Sequence, residues 1–311
     1  MSAHWPDAAE EVFGANQTLA AGYVTPAKGV ILLPLTNTDV RDRSAGRMTA
    51  FTTSVGLWPK LLRIQANPRI AVAFHTRLHG DSDSATYALV QGKATVGPWE
   101  DRTWLDRHRD AWERFAGPRD VGIWERPMGV YHWRVPVEMD VERVLTWHDL
   151  ACQGQPELSG AALPDPPAPQ KPPGKGTGPR VNHEKAARFA AGLPNVLLAW
   201  VGGDGLPVIV PVTVDGAEER GVRLTAPAGF VPPGGRRAGL LAHSVERFSI
   251  GQHQRRYTGW MEADGDSVLY APHTKGGYRL PSSKLLYRIA ASIATRRGLR
   301  QGRRAGHIAA G

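Results

Sequence analysis

Two stretches of this 311-residue chain put cations where a loop gives way to an apolar run. In APAGFVPPGGRRAGLLAH (residues 226–243) a Pro/Gly loop delivers Arg236 and Arg237 to a run, AGLLAH, that reads as a helix. Residues 47–66 repeat the order: RMTAFTT reads as a strand, SVGLWP as a loop, and Lys60 and Arg63 then open the helical run KLLRIQA. A helix start exposes unpaired N–H groups and a partial positive charge, so cations there are unfavourable unless an anion joins them. The chemistry implied is phosphate binding, with forked guanidinium groups suited to phosphate oxygens. Thr52, Thr53 and Ser54 would add hydroxyl donors. Neither loop is a familiar nucleotide motif: PPGGRRAG lacks the Gly-Lys-Ser/Thr ending, and GGDGLP lacks a third glycine and a following helix.

Other chemistries find little support. A single cysteine, Cys152, excludes an intrachain disulfide, and its surroundings read as unpacked. His243, His253 and His273 are too dispersed to suggest a metal set, so no metal site is expected, and His75 and His79, near the expected strands, read as structural or surface residues. No Ser-His-Asp set or separate acid–base group can be assigned, and the catalytic residues stay unknown. The net charge of +9 is local: nine Lys and Arg and no acid lie between residues 271 and 311. That tail reads as a helix capped by Ser282 or Ser283, with an apolar stripe of Leu285, Leu286, Ile289 and Ile293 and arginines at its C-terminal end. Only Tyr278 and Tyr287 could stack on bases there, which disfavours nucleic acid as a partner. No run is long enough to span a membrane and the N-terminus is not signal-like, so a cytoplasmic protein is expected.

The chain divides at a proline-rich stretch, giving an N-terminal domain over 1–150, a linker over 151–182 and a C-terminal domain over 183–311. The halves are alike: residues 22–36 lie over 199–213, bringing Tyr23 onto Trp200. Residues 47–64 lie over 222–241, bringing Lys60 onto Arg236, and 88–96 over 255–263, bringing Gly92 onto Gly259. Two copies indicate a tandem duplication, since stacked arrays need more. GDGLPVIVPVTV and ADGD carry Asp-Gly hairpin signals. In YHWRVPVEMDV, Tyr131, Trp133, Val135, Val137, Met139 and Val141 alternate with polar residues as in a half-buried strand. An amphipathic helix over 98–117 presents Trp104, Leu105, Trp112 and Phe115 on one face. The fold class expected is mainly β with flanking helices (α+β), each half an antiparallel barrel with helices outside.

The hairpin DGLPVIVPV, the strand ending in Thr-Thr, the loop with Lys60 before RIQANPRIAVAF, and ALVQGKATV together resemble the pyridoxamine 5'-phosphate oxidase-like family of split β-barrel flavoproteins. The resemblance covers residues 22–149, including RVLTWHD, and more weakly 194–272, where Asn-Pro is missing and APAGF replaces the Thr-Thr hydroxyls. It implies two tandem split β-barrels forming an intramolecular counterpart of the family's dimer, with FMN between them and the chain as a whole able to form a homodimer. By position, Thr52, Thr53, Lys60 and Arg63 would hold the phosphate, Gln91 would lie near the ring, and Trp147 would be an interface aromatic. Arg236 and Arg237 would serve a second, degenerate site. The activity implied is a flavin-dependent oxidoreductase acting on a small molecule. The alternatives are a deazaflavin-dependent reductase and a non-catalytic protein that stores or senses flavin or haem.

Overall fold

The computed structural model of the chain describes residues 4–309. After α1 (Asp7–Ala15), a hairpin of β1 (Thr18–Val24) and β2 (Val30–Thr36) is followed by β3 (Arg41–Asp42) and β4 (Arg47–Ser54). Next come α2 (Pro59–Ala66), β5 (Arg69–Phe74) and β6 (Tyr87–Val96). Then α3 (Trp104–Arg107), α4 (Arg109–Ala116) and α5 (Glu125–His132) precede β7 (Arg134–Trp147) and β8 (Glu157–Gly160). The second half holds α6 (His183–Ala191), β9 (Asn195–Val201), β10 (Pro207–Pro211), β11 (Thr213–Glu218) and β12 (Gly221–Thr225). It continues through β13 (Gly234–Ser244), β14 (His253–Asp264) and β15 (Ser267–Arg279) to α7 (Lys284–Arg304).

Both sheets are antiparallel and share one strand order, element for element: β2-β1-β5-β6-β7-β4-β3 and β10-β9-β13-β14-β15-β12-β11. They form a mainly β, α+β fold of two split barrels, and the shared order fits a tandem duplication. The registers fix the equivalences. Tyr23 pairs with Ile31 as Trp200 does with Val208. Gly92 and Gly259 sit at matching bulges, where a Cβ would strike the carbonyl of Asp140 or Ala271. The Asp-Gly turns at Gly205 and Gly265 have positive φ, as tight hairpins require. From Trp133 to Val141 the odd-numbered residues are buried as the alternation predicts, whereas Tyr131 belongs to α5.

Each barrel encloses its own core, around Phe13, Phe51, Ile64 and Phe74 in the first and Trp200, Leu240, Met261 and Tyr270 in the second. A third cluster joins them: Leu32, Tyr87, Leu89, Leu145 and Trp147 meet Leu197, Ile209 and Leu241. This apolar seam is what two barrels need to stay together, and it fits an intramolecular pseudo-dimer. On its axis two equivalent imidazoles meet. His75 lies four residues beyond Ala71, and His243 four beyond Gly239, which are paired alike with β1 and β9. Their Nε2 atoms are 2.8 Å apart.

Three sequence expectations are corrected here. AGLLAH is not a helix, because β13 runs through it, paired with β9 on one side and β14 on the other. α2 therefore has no counterpart in the second barrel, and the register sets Arg237 opposite Arg69 rather than Arg236 opposite Lys60. Cys152 is fully buried in the seam, where burial pushes its thiol far up. The stripe Leu285, Leu286, Ile289 and Ile293 faces outward. α7 packs instead through Ala291, Thr295, Leu299 and Gly302, because Gly56 and Gly298 let the two backbones touch.

Candidate functional site

α2 begins at Pro59, whose fixed φ suits the first helical position, and its first turn carries no acid. Lys60 in the first turn and Arg63 in the last form one wall of a cleft of about 680 Å³ between the barrels. The facing wall belongs to the second barrel: Gln254 and Arg256 on β14 and Tyr278 on β15. α7 closes the side with Arg297 and Gln301, held in place by a hydrogen bond from Trp58 Nε1 to the Gly298 carbonyl (3.1 Å) and by Trp58 against His307. Tyr23 and Leu33 add aromatic and apolar surface.

Four cations therefore line the cleft with no Asp or Glu among its lining residues, and among the described residues none of the four forms an ion pair. Arg256 can lie flat across its partner strand because Gly276 opposite it has no side chain. Burial, reinforced by the charges of Arg134 and Arg256, lowers the Lys60 ammonium to about 7. Gln254 is buried and its Oε1 has no hydrogen-bond partner, an uncompensated cost that a ligand donor could remove. The cleft is large enough for a nucleotide-sized molecule, and the charge on its walls calls for an anionic one.

Of the nine residues expected to touch a cofactor, Lys60 and Arg63 line the cleft. Thr52, Thr53 and Ser54 are buried on β4 and are not among the lining residues. Thr52 Oγ1 accepts from Arg134 Nε (3.1 Å), Ser54 Oγ donates to the Val130 carbonyl (2.6 Å), and Thr53 Oγ1 has no partner. Gln91 and Trp147 lie in the seam instead of the cleft. Gln91 donates to the Pro207 carbonyl and accepts from Arg143, while Trp147 packs edge-on against Tyr87 and Phe230. Arg236 is 1 % exposed and spends its guanidinium on the carbonyls of Pro167, Pro232 and Pro233. Arg237 bonds Gln170. Arg236 is a structural cation because, without a helix start, its strand carries it inward.

The register explains the asymmetry. Gln254 pairs with Tyr278, and at the same distance from the matching bulge Tyr87 pairs with Trp147. Where the cleft has Gln254, Arg256 and Tyr278, its counterpart across the axis has Tyr87, Leu89 and Trp147, so the cation is lost. Sequence reasoning missed Gln254, Arg256, Tyr278 and Arg297. The equivalence of Trp147 with Tyr278 and the acid-free tail containing Arg297 were the available signals.

No protein-family model matches the chain, and no curated protein is significantly similar to it. Among solved structures, the chain is similar to a conserved hypothetical protein from Mycobacterium tuberculosis, with 21% identity over 51% of this chain and 93% of that one (TM-score 0.35). It is also similar to a pyridoxamine 5'-phosphate oxidase-related, FMN binding protein from Nostoc punctiforme, with 13% identity over 42% and 73% of the two chains (TM-score 0.29). A heme binding protein from Mycobacterium smegmatis matches over 95% of this chain and 99% of its own at 14% identity (TM-score 0.33). No helix among the described residues is long and apolar enough to cross a membrane.

Proposed function

We propose that the chain binds an FMN-type flavin in the cleft between its barrels and acts as a flavin-dependent oxidoreductase on a small molecule. The observation that carries this reading is the meeting of Lys60, Arg63, Arg256 and Arg297 around one cavity without a carboxylate. Lys60 and Arg63 would hold the phosphate from the first barrel, Arg256 from the second, and Arg297 from α7. Charge-assisted contacts of this kind are the strong ones. Tyr23, Leu33 and Tyr278 offer surface for a flat ring, Gln254 a polar partner for its edge, and α7 a cover against water. When bound, the flavin supplies hydride or electron transfer, while the protein contributes position and exclusion of water. A deazaflavin with a longer anionic tail would use the same cations. Haem would find only Tyr23 and Tyr278 as axial ligands, since none of the lining residues is His, Cys or Met.

The experiment is a comparison of FMN with riboflavin, which differ by the phosphate. Lys60→Ala should weaken FMN by about 1.5–3 kcal/mol, roughly ten- to a hundredfold, and leave riboflavin nearly unchanged. Equal losses for the two would reject the assignment. Bleaching of bound FMN by a reduced nicotinamide would separate an enzyme from a storage protein.

A further inference from the structure

The stretch read as a linker is ordered against the second barrel in a repeating way. Between Leu163 and Gly174 the chain forms no helix, strand or turn up to Pro173, and burial returns at every third residue: Pro164, Pro167, Gln170 and Pro173 are half-buried while those between are exposed. A period of three is that of the polyproline II helix. The segment crosses the loop before β13, beside a cavity of about 260 Å³ that it shares with Trp200, Phe230 and Arg143.

Its polar contacts resemble recognition more than tethering. Arg236 Nη1 donates to the Pro167 carbonyl (3.0 Å), and Arg143 Nη1 donates to that of Ala162 (2.9 Å). The Gln170 N–H donates to the Gly235 carbonyl (2.8 Å), and Gln170 Oε1 accepts from the Arg237 N–H (3.1 Å). Gly203 and Gly234 have no side chains where Asp165 and Pro169 press closest. Aromatic surface with donors aimed at the carbonyls of an extended segment, here those of Ala162 and Pro167, is how proline-rich peptides are held.

We propose that this face of the second barrel is a proline-rich-peptide groove, filled in cis by residues 164–173. It lies across the pseudo-two-fold axis from the cationic cleft, and the strap occupies the place where a second cofactor site would otherwise open. The groove and the flavin cleft stand on different residues, so either proposal can fail alone.

The test uses a full-length variant in which residues 163–173 become an equal-length Gly/Ser run, titrated with a labelled peptide of residues 161–174 by fluorescence anisotropy. Binding with a Kd of about 10–100 μM is expected, weakened at least about tenfold by Pro167→Asp in the peptide. The wild-type chain should bind the native peptide at least about tenfold more weakly, since a tethered segment competes at an effective concentration of the order of millimolar. A variant with native circular dichroism and no binding up to about 1 mM would overturn the proposal. Should the variant not fold, hydrogen exchange of the wild-type chain decides: the Gln170 amide should exchange at least about a hundredfold slower than in the free peptide, and unprotected exchange would overturn the groove.

Discussion

If the cleft binds FMN as proposed, the ammonium of Lys60 should make its affinity depend on pH. In the ligand-free protein it titrates at about 7, because burial and the neighbouring Arg134 and Arg256 disfavour its charge. An FMN phosphate would reverse that, favouring the charged form and raising the pKa, so binding takes up a proton wherever the free amine is neutral. The Lys60 contribution to affinity is therefore lost as pH rises through about 7. With a free pKa of about 7 and a bound value of about 10 or more, FMN should lose roughly 50-fold in affinity between pH 7 and 9, about 2.3 kcal/mol. The phosphate itself, with a second pKa of about 6, stays doubly charged over this range. Isothermal titration in buffers of different ionisation enthalpy at pH 8 would read the proton directly, and affinities at pH 7 and 9 would read the loss. Riboflavin should show no such slope, and Lys60→Arg should flatten the FMN profile, since guanidinium stays charged. An FMN profile no steeper than riboflavin's would refute the placement of the phosphate against Lys60.

Two further outcomes separate structural roles from binding roles. Arg236→Ala should lower stability by about 2–4 kcal/mol in chemical denaturation, since it strands the carbonyls of Pro232, Pro233 and Pro167, yet leave FMN affinity within about twofold; a selective loss of FMN would put Arg236 in the site. The His75–His243 pair should make the seam acid-sensitive. Ala73's carbonyl can only accept, so His75 Nδ1 carries the proton and His243 Nε2–H donates across the axis. Burial lowers His75 to about 4 and also holds His243 well below the unfolded value of about 6.5. Their contribution is thus intact above pH 6.5 and lost as pH falls toward 4, by up to about 1.4 kcal/mol per pH unit for each imidazole. His243→Leu should make the fall of Tm between pH 7 and 5 shallower; an unchanged slope would show that the pair is not responsible.

What was legible in the chain was local. Asp204-Gly205 and Asp264-Gly265 announce hairpins because only such residues make their turns cheaply. Residues 133–141 announce a strand by alternation, and Lys60 and Arg63 announce a cationic helix start. AGLLAH misled because a short apolar run is equally a buried strand, and β13, hydrogen-bonded on both sides, has no polar face to alternate. The apolar stripe of α7 misled in the opposite sense. Its docking is decided by the glycine contact between residues 56 and 298, which favours the small-residue face. Half of the cleft was out of reach because Gln254, Arg256 and Tyr278 arrive from the other barrel, placed by a register that no local pattern encodes.

The proposed function requires one cationic cleft, built by both barrels, to take one phosphate-bearing cofactor per chain. Native mass spectrometry of the full-length chain with FMN tests this most directly when set beside Arg256→Ala, whose changed residue lies in the second barrel and far in sequence from Lys60. The expected result is a single FMN per chain in the wild type and its loss at equal concentration in the variant. Two FMN per chain, or one that is indifferent to Arg256, would contradict it.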